Sequence, residues 1–268
     1  MDLSGTTVAL DGFGVEAGNE VLLEGIRRAT ADGINVRVFG PASDIDLSAI
    51  ERAELIDTVD FITNEDDPVP SVRSRKDSSI VRAVADVAAG NSNAVVSLGS
   101  TGATLAAATF GLKRSRGVKR PALAGVVPLP GKDVVFLDIG ANVEVRAQHL
   151  IQFAYLGSAF SQSVLGVESP TVGLLTVGEE SGKGREEFVE AHATLSGADE
   201  INFAGNIEGG DVPGGTVDVV VADGFTGNVV LKAMEGVVKL MSTSISEAAR
   251  RNPVSAIGGL MLKPALAG

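Results

Sequence analysis

The chain has 268 residues, no Cys, no Trp, 33 Gly and a formal net charge of −12. Without Cys no disulfide framework, thiolate metal site or cysteine nucleophile is possible, and His149 and His192 stand too far apart to read as a His-rich metal site. The acidic balance argues against nucleic acid as the main partner, and 44% hydrophobic with 21% charged residues describes a globular chain.

The elements follow in chain order. Thr7–Leu10 reads as a strand and Asn19–Ala31 as a helix with Val21, Leu22, Leu23 and Ile26 inward. Asn35–Phe39 alternates as a strand, a short helix Leu47–Ala53 leads to a strand near Leu55–Val59, and Pro68 and Pro70 close a loop. Val72–Ala89 is expected as one helix, Ala94–Leu98 as a strand and Thr101–Leu112 as a helix. Ala122–Val127 and Val134–Ile139 are apolar strands. Gln148–Leu165 is a helix, Thr171–Val177 a strand, Arg185–Thr194 a helix, Glu200–Ala204 and Val217–Ala222 strands, and Gly227–Ala249 a long helix.

The strands Ala94–Leu98, Val134–Ile139, Thr171–Val177 and Val217–Ala222 are almost wholly apolar, the pattern of parallel strands covered on both faces. Alternation of strands with helices implies right-handed βαβ crossovers, and no linker divides the chain. The reading is a single α/β domain over residues 1–268, a doubly wound, mostly parallel sheet in three αβα layers. No basic segment precedes an apolar run at the N-terminus, and no apolar run reaches the ~18 residues of a membrane span. Val254–Gly268, with the single charge of Lys263, is the most membrane-like stretch and could lie on a surface.

Four glycine-bearing loops follow the buried strands: Leu98-Gly99-Ser100-Thr101-Gly102, Asp138-Ile139-Gly140-Ala141-Asn142, Val177-Gly178-Glu179-Glu180-Ser181-Gly182-Lys183-Gly184 and Asp223-Gly224-Phe225-Thr226-Gly227-Asn228. Open α/β sheets bind ligands at this edge, and a glycine turn that opens a helix offers N–H groups and a favourable dipole to an anion. Such turns also serve simply as tight connections; four on one edge, carrying Ser, Thr, Asn and Lys, favour a ligand site. Ser100, Thr101 and Gly102, and Thr226 and Gly227, are candidates to hold phosphate. Lys183, between glycines, suits a phosphate or a developing oxyanion, and the Asn228 amide could donate to a carbonyl oxygen. Asp138 and Asp223 end strands and could orient a lysine or a ligand hydroxyl, or cap the next turn. No Walker loop, dinucleotide fingerprint or Ser-His-Asp arrangement is legible, and both His residues read as structural or surface groups. Against the acidic background, Lys113, Arg114, Arg116, Lys119 and Arg120 form one basic cluster and Arg73, Arg75, Lys76 and Arg82 a second, either solvated or a docking patch for an acidic partner.

The string of loops resembles the phosphate acyltransferase family of bacterial phospholipid synthesis from about Pro68 to Leu266, with a weaker start at Val8. It rests on Asp77-Ser78-Ser79, Ser97–Ala103, Arg120-Pro121-Ala122-Leu123-Ala124, Leu137–Asn142, Gly173-Leu174-Leu175 with Val177-Gly178-Glu179, Lys183-Gly184, Gly205-Asn206-Ile207-Glu208-Gly209, and Asp223–Asn228 with Leu231-Lys232. The resemblance implies a fold related to isocitrate and isopropylmalate dehydrogenases and phosphotransacetylase, and a homodimer. It implies transfer of a fatty acyl group from acyl carrier protein to inorganic phosphate, with no metal or redox cofactor. It further implies peripheral contact with the inner face of the cell membrane through an apolar tip at 254–266, in an otherwise cytoplasmic protein. Lys183, Asn228 and Asp223 then become the catalytic candidates. Ser100, Thr101, Gly102, Asp138, Asn142, Gly178, Glu179, Thr226 and Gly227 bind phosphate or substrate, and Lys113, Arg114, Arg116, Lys119 and Arg120 dock the acidic carrier. The sequence departs from the family pattern at Gly14-Val15-Glu16, Ser100, Thr176, Arg185 and Gly210, and the family pattern continues past Gly268 with a second glycine-rich stretch and a closing helix. Two other readings share these loops: a non-catalytic relative binding phosphate or acyl carrier protein, and a short-chain phosphotransacetylase using coenzyme A.

Overall fold

A computed structural model of the chain describes residues 5–15, 18–251, 258 and 261. The chain forms two compact units, Met1–Val118 and Lys119–Gly268, where the lack of a linker had suggested one domain. The boundary falls in the charged run 113–120, which has no linker composition.

The first unit holds β1 (Thr7–Asp11), α1 (Asn19–Ala31), β2 (Asn35–Gly40), β3 (Ala53–Asp57), α2 (Pro68–Ser74), α3 (Ser79–Ala88), β4 (Ala94–Ser97) and α4 (Thr101–Gly111). Its four strands are all parallel in the order β3-β2-β1-β4. Side chains alternate across β1, so Leu10 joins Leu22, Ile26, Val36 and Val38 on one face while Ala9 meets Phe39 and Ala83 on the other. Three sequence expectations change here. No helix forms at 47–53: Ile45, Leu47 and Ile50 do enter the core, but on turns, and Arg52 takes φ 63, which ends any helical run before β3. The helix expected over Val72–Ala89 is two. Pro68 and Pro70 lie inside α2, Pro68 in its first position, where a missing N–H costs nothing. The chain then breaks at Arg75, and the Ser78 hydroxyl donates to the Arg75 carbonyl at 2.9 Å before α3 begins. Finally, β4 is an edge strand rather than a doubly covered one, with Val96 44% exposed.

The second unit holds β5 (Ala124–Leu129), β6 (Lys132–Leu137), α5 (Ala147–Phe160) with a π-helical turn over Ser161–Leu165, β7 (Thr171–Leu175), α6 (Glu186–Ser196), β8 (Asn202–Ile207), α7 (Asp211–Gly214), β9 (Val219–Val221) and α8 (Gly224–Arg250). The order is β5-β6-β9-β7-β8. All neighbours are parallel except β5 and β6, a hairpin closed by Pro130-Gly131, with Gly131 at φ 90. The apolar runs of β6, β7 and β9 are buried on both faces, as their composition implies. Val135, Leu174 and Val219 pack with Leu150 and Phe153 of α5 and Leu195 of α6; Phe136 and Val220 pack on the opposite face with Val212, and Leu231 and Met234 of α8 lean against them. Each fully buried Leu or Phe in this three-layer sandwich contributes about 2–3 kcal/mol.

Beyond its first three turns α8 leaves the sheet. Every residue from 235 to 248 is exposed, among them Val237, Val238, Leu240, Met241 and Ile245. Among the described residues no helix is long and apolar enough to cross a membrane. The apolar stretch 254–266 lies outside the described residues apart from Gly258 and Met261.

Candidate functional site

In the second unit, β6, β9 and β7 are parallel neighbours, so their carboxyl ends, and the loops that follow, lie side by side. These loops are residues 138–142, 222–223 leading into α8, and 176–185.

Asp138 is fully buried, and its carboxylate builds the loop around it. One oxygen accepts from the N–H groups of Leu123 (3.1 Å), Gly140 (3.2 Å) and Ala141 (2.9 Å), the other from the Asn142 N–H and side-chain amide at 2.7 Å each. Asn142 is itself buried: its amide also donates to the Pro121 carbonyl at 2.8 Å, and its side-chain oxygen accepts from Arg120 at 3.5 Å. Both residues, read from sequence as ligand-binding groups, spend their polar atoms on internal bonds that hold the loop in one shape.

That loop is clasped by the start of α8. A Cβ on Gly227 would lie 1.9 Å from the Asp138 carbonyl oxygen, and one on Gly224 within 2.8–3.0 Å of the Asn142 backbone, so only glycine permits the contact. Asp223 caps the helix: one carboxylate oxygen accepts from the N–H groups of Phe225 (3.1 Å) and Thr226 (3.0 Å), and the other from the Thr226 hydroxyl at 2.8 Å. The Gly224 N–H goes to the Asn142 carbonyl at 2.8 Å and the Gly227 N–H to the Asp223 carbonyl at 2.9 Å. The first four N–H groups of α8 are therefore committed. The expectation that Thr226 and Gly227 offer an anion open N–H groups is corrected by this cap, and Asp223, 1% exposed, serves as cap and ion-pair partner. Asn228, next along the helix, is exposed; its amide nitrogen lies 3.2 Å from where a Cβ on Gly140 would stand, so Gly140 makes the room it occupies.

The 176–185 loop carries Lys183. The Thr176 hydroxyl donates to the Gly178 carbonyl at 2.7 Å, and a turn closes where the Lys183 N–H donates to the Glu180 carbonyl at 2.9 Å. Lys183 is exposed, and its ammonium stands 3.9 Å from the Glu180 carboxylate, a separation and exposure at which an ion pair holds the group weakly. Gly178 is buried against the Lys183 stem, while Glu179 is exposed. Arg185 closes the loop, pairing with Asp223 at 2.8 Å and Glu187 at 2.9 Å. A cationic amine, an amide donor on α8 and a fixed loop beside it are groups able to hold an anion and a developing oxyanion.

The first unit has a strand-end site of its own. A Cβ on Gly14 (φ 84) would stand 2.4 Å from the Gly99 Cα, so the turns after β1 and β4 meet backbone to backbone. Beside them opens a cleft of about 680 Å³ lined by Gly14, Phe61, Leu98, Gly99 and Ser100. The Ser100 hydroxyl accepts from the Ala103 N–H at 3.4 Å to cap α4, and Thr101 is exposed in the first turn. Gly102 has a packing reason, since a Cβ there would lie 2.7 Å from Pro68. Asp11, at the end of β1, accepts from the Ser97 hydroxyl at 2.8 Å; burial pushes its carboxyl above the ordinary value, against the opposing pull of these bonds.

The basic clusters divide. Lys119 donates to Gln148 and, through its backbone, to Gln152, while Arg120 donates to Asn142 and the Glu144 carbonyl. Lys113, Arg114 and Arg116 lie exposed in the first unit. In the second cluster Arg75 pairs with Asp66 at 3.0 Å, Arg73 stacks over Phe110 and Arg82 donates to the Asp57 carbonyl. His149 is buried at the start of α5, where its Nδ1 accepts from the Arg146 N–H at 3.1 Å; burial first, then Arg120, Arg146 and Lys119, holds it below the ordinary histidine value and hence neutral. Sequence reading gave Asp11, Arg185 and Asn206 no role, although Arg185 and Asn206 stood in or beside the motifs of the resemblance. Each directly adjoins a strand end or a glycine loop, which was the available signal.

A family described as "Fatty acid synthesis protein" matches residues 6–268. The chain is 41% identical over 270 residues to a phosphate acyltransferase of Lactococcus lactis subsp. cremoris (strain SK11), covering 97% of this chain and 81% of that protein. It is 40% identical over 268 residues to a phosphate acyltransferase of Elusimicrobium minutum (strain Pei191), covering 97% of this chain and 78% of that protein. Its fold is shared with the EutD phosphotransacetylase from Staphylococcus aureus (TM-score 0.63, 20% identity, 88% of this chain and 84% of that one). It is likewise shared with a branched-chain phosphotransacylase from Enterococcus faecalis V583 (TM-score 0.57, 18% identity, 86% of this chain and 84% of that one). With a family match across nearly its whole length and relatives at this identity, the chain belongs to the phosphate acyltransferase family.

Proposed function

We propose that this acyltransferase moves a fatty acyl group from acyl carrier protein to inorganic phosphate, and that Lys183 and Asn228 serve the reacting centre. The observation that carries the reading is the family match over residues 6–268. A phosphate oxygen attacks the thioester carbonyl carbon. The new C–O bond gives a tetrahedral oxyanion, the C–S bond breaks, and the proton carried by hydrogen phosphate ends on the departing thiol. No enzyme nucleophile is needed, so the protein's work is to align two anionic reactants and stabilise the oxyanion. The Lys183 ammonium meets phosphate charge, and the Asn228 amide donates to the oxyanion. Lys113, Arg114 and Arg116 receive the acidic carrier.

The assay is acyl phosphate formation from long-chain acyl carrier protein and phosphate by the purified protein. Lys183→Ala is expected to lower turnover at least about tenfold without changing the unfolding midpoint, the usual scale for one lost oxyanion or phosphate contact. No product from acyl carrier protein overturns the reading. Turnover of acetyl-coenzyme A instead would assign short-chain phosphotransacetylase activity, and binding without turnover a non-catalytic role.

The same reading includes a homodimer and contact with the inner membrane face through 254–266. The exposed apolar residues of α8 support the dimer, because four turns of helix that none of the described residues covers are marginal in water. A monomer by sedimentation at micromolar concentration would reject it.

A further inference from the structure

The turn that presents Lys183 hangs on one side chain from a neighbouring strand. The Glu180 carbonyl accepts twice: from the Lys183 N–H at 2.9 Å, which closes the turn, and from the Asn206 amide nitrogen at 2.8 Å. Asn206 lies in β8, is buried, and its side-chain oxygen meets His192 Nδ1 of α6 at 3.0 Å. These three contacts fix every proton. A carbonyl only accepts, so the Asn206 NH2 must face Glu180. Its oxygen must then face His192, and Nδ1 of the ring must carry the hydrogen. The imidazole packs edge-on to Phe203 with centroids 5.2 Å apart, which holds the donor in place. With the wrong flip two oxygens would face each other at Glu180, and His192 holds the right one from the far side by engaging the amide oxygen.

We propose that Asn206 is a positioning residue for Lys183, oriented by His192 and acting through the Glu180 carbonyl. It touches neither reactant. It sets where the turn holds the lysine, and this rests on the reading above that Lys183 acts in the reaction.

Two readouts on the full chain test the proposal. Amide hydrogen exchange across 181–184 reports the turn directly: Asn206→Ala is expected to raise exchange at Lys183 about tenfold, the scale of one lost buried hydrogen bond. Turnover reports the consequence: Asn206→Ala is expected to lower kcat about tenfold with the KM for the acyl donor unchanged, and to lower it no further in the Lys183→Ala background. His192→Phe keeps the ring packing, loses the donor, and is expected to shift both readouts the same way by a smaller factor; it decides the matter if Asn206→Ala does not fold. Unchanged exchange at Lys183, or an equal kcat loss with and without Lys183, overturns the proposal. Should Lys183→Ala leave turnover intact, the role of Lys183 in chemistry falls, while the exchange experiment still decides whether Asn206 sets the turn.

Discussion

Gly227 and Gly236 lie in one helix and differ in what surrounds them. A methyl group on Gly227 would sit 1.9 Å from the Asp138 carbonyl oxygen, whereas nothing stands within 4 Å of one on Gly236. Gly227→Ala must therefore push α8 off the 138–142 loop, and the expected cost is about 3 kcal/mol, the upper range for overpacking a fitted contact. Gly236→Ala removes a helix-interior glycine from an open site and is expected to stabilise by up to about 1 kcal/mol. Chemical denaturation of the two variants should move in opposite directions; a neutral Gly227→Ala would mean that helix and loop are not in the contact described. Asp138 shows the same logic from the polar side: a buried carboxylate with five donors around it is committed to its own loop.

Among the elements, β9 is the shortest strand and sits at the centre of its sheet, and its entry is fixed by Asp218. That carboxylate accepts from the Thr171 N–H (2.8 Å) and hydroxyl (2.7 Å) and pairs with Lys132 at 3.0 Å, tying β9 to its neighbours on either side. Burial pushes its carboxyl up, but the Thr171 bonds and the Lys132 ammonium outweigh this and hold it below the ordinary 3.8. A depressed carboxyl stabilises the fold above its unfolded value and loses that contribution as pH falls through it. Asp218→Asn is expected to cost about 1–3 kcal/mol at pH 7, and the gap from the unsubstituted protein should narrow below about pH 4. A gap independent of pH would remove the charge from the explanation. Elements of this kind were legible where composition decides: β6 from Val134, β7 from Val172 and all of β9 carry no polar side chain because both faces are covered. Elsewhere periodicity misled. Leu47 and Ile50 have helical spacing but reach the core on turns, and one helix is expected over 72–89 although no apolar residue stands between Val72 and Ile80, the gap in which the backbone breaks at Arg75. The glycine loops could be found because close approach leaves no other residue possible. For Asp138 and Asp223 capping the next turn stood beside ligand binding as an alternative, and only the N–H groups folded around each carboxylate select it.

At the scale of the molecule, a net charge of −12 makes any cationic surface conspicuous, but much of the basic inventory is spent internally. Arg75, Arg82, Lys119 and Arg120 hold turns and carbonyls, and Lys113, Arg114 and Arg116 lie exposed in the same charged run as Lys119 and Arg120. Reversing charge at Arg114 and Arg116 together is expected to weaken acyl carrier protein binding at low salt and to matter little near 0.5 M, where the screening length is about 4 Å. Binding measured across that range checks it; a salt-independent effect would place the contact elsewhere.

Asp223 belongs to two structures at once. Its carboxylate begins α8, and the oxygen that takes the Thr226 hydroxyl also takes Arg185 at the close of the Lys183 loop. Events at the far turns of the helix and order in the loop thus share one account of free energy, and linkage makes the exchange mutual. A surface that steadies α8 from outside tightens the loop, and a ligand that orders the loop stiffens the helix for whatever lies against it.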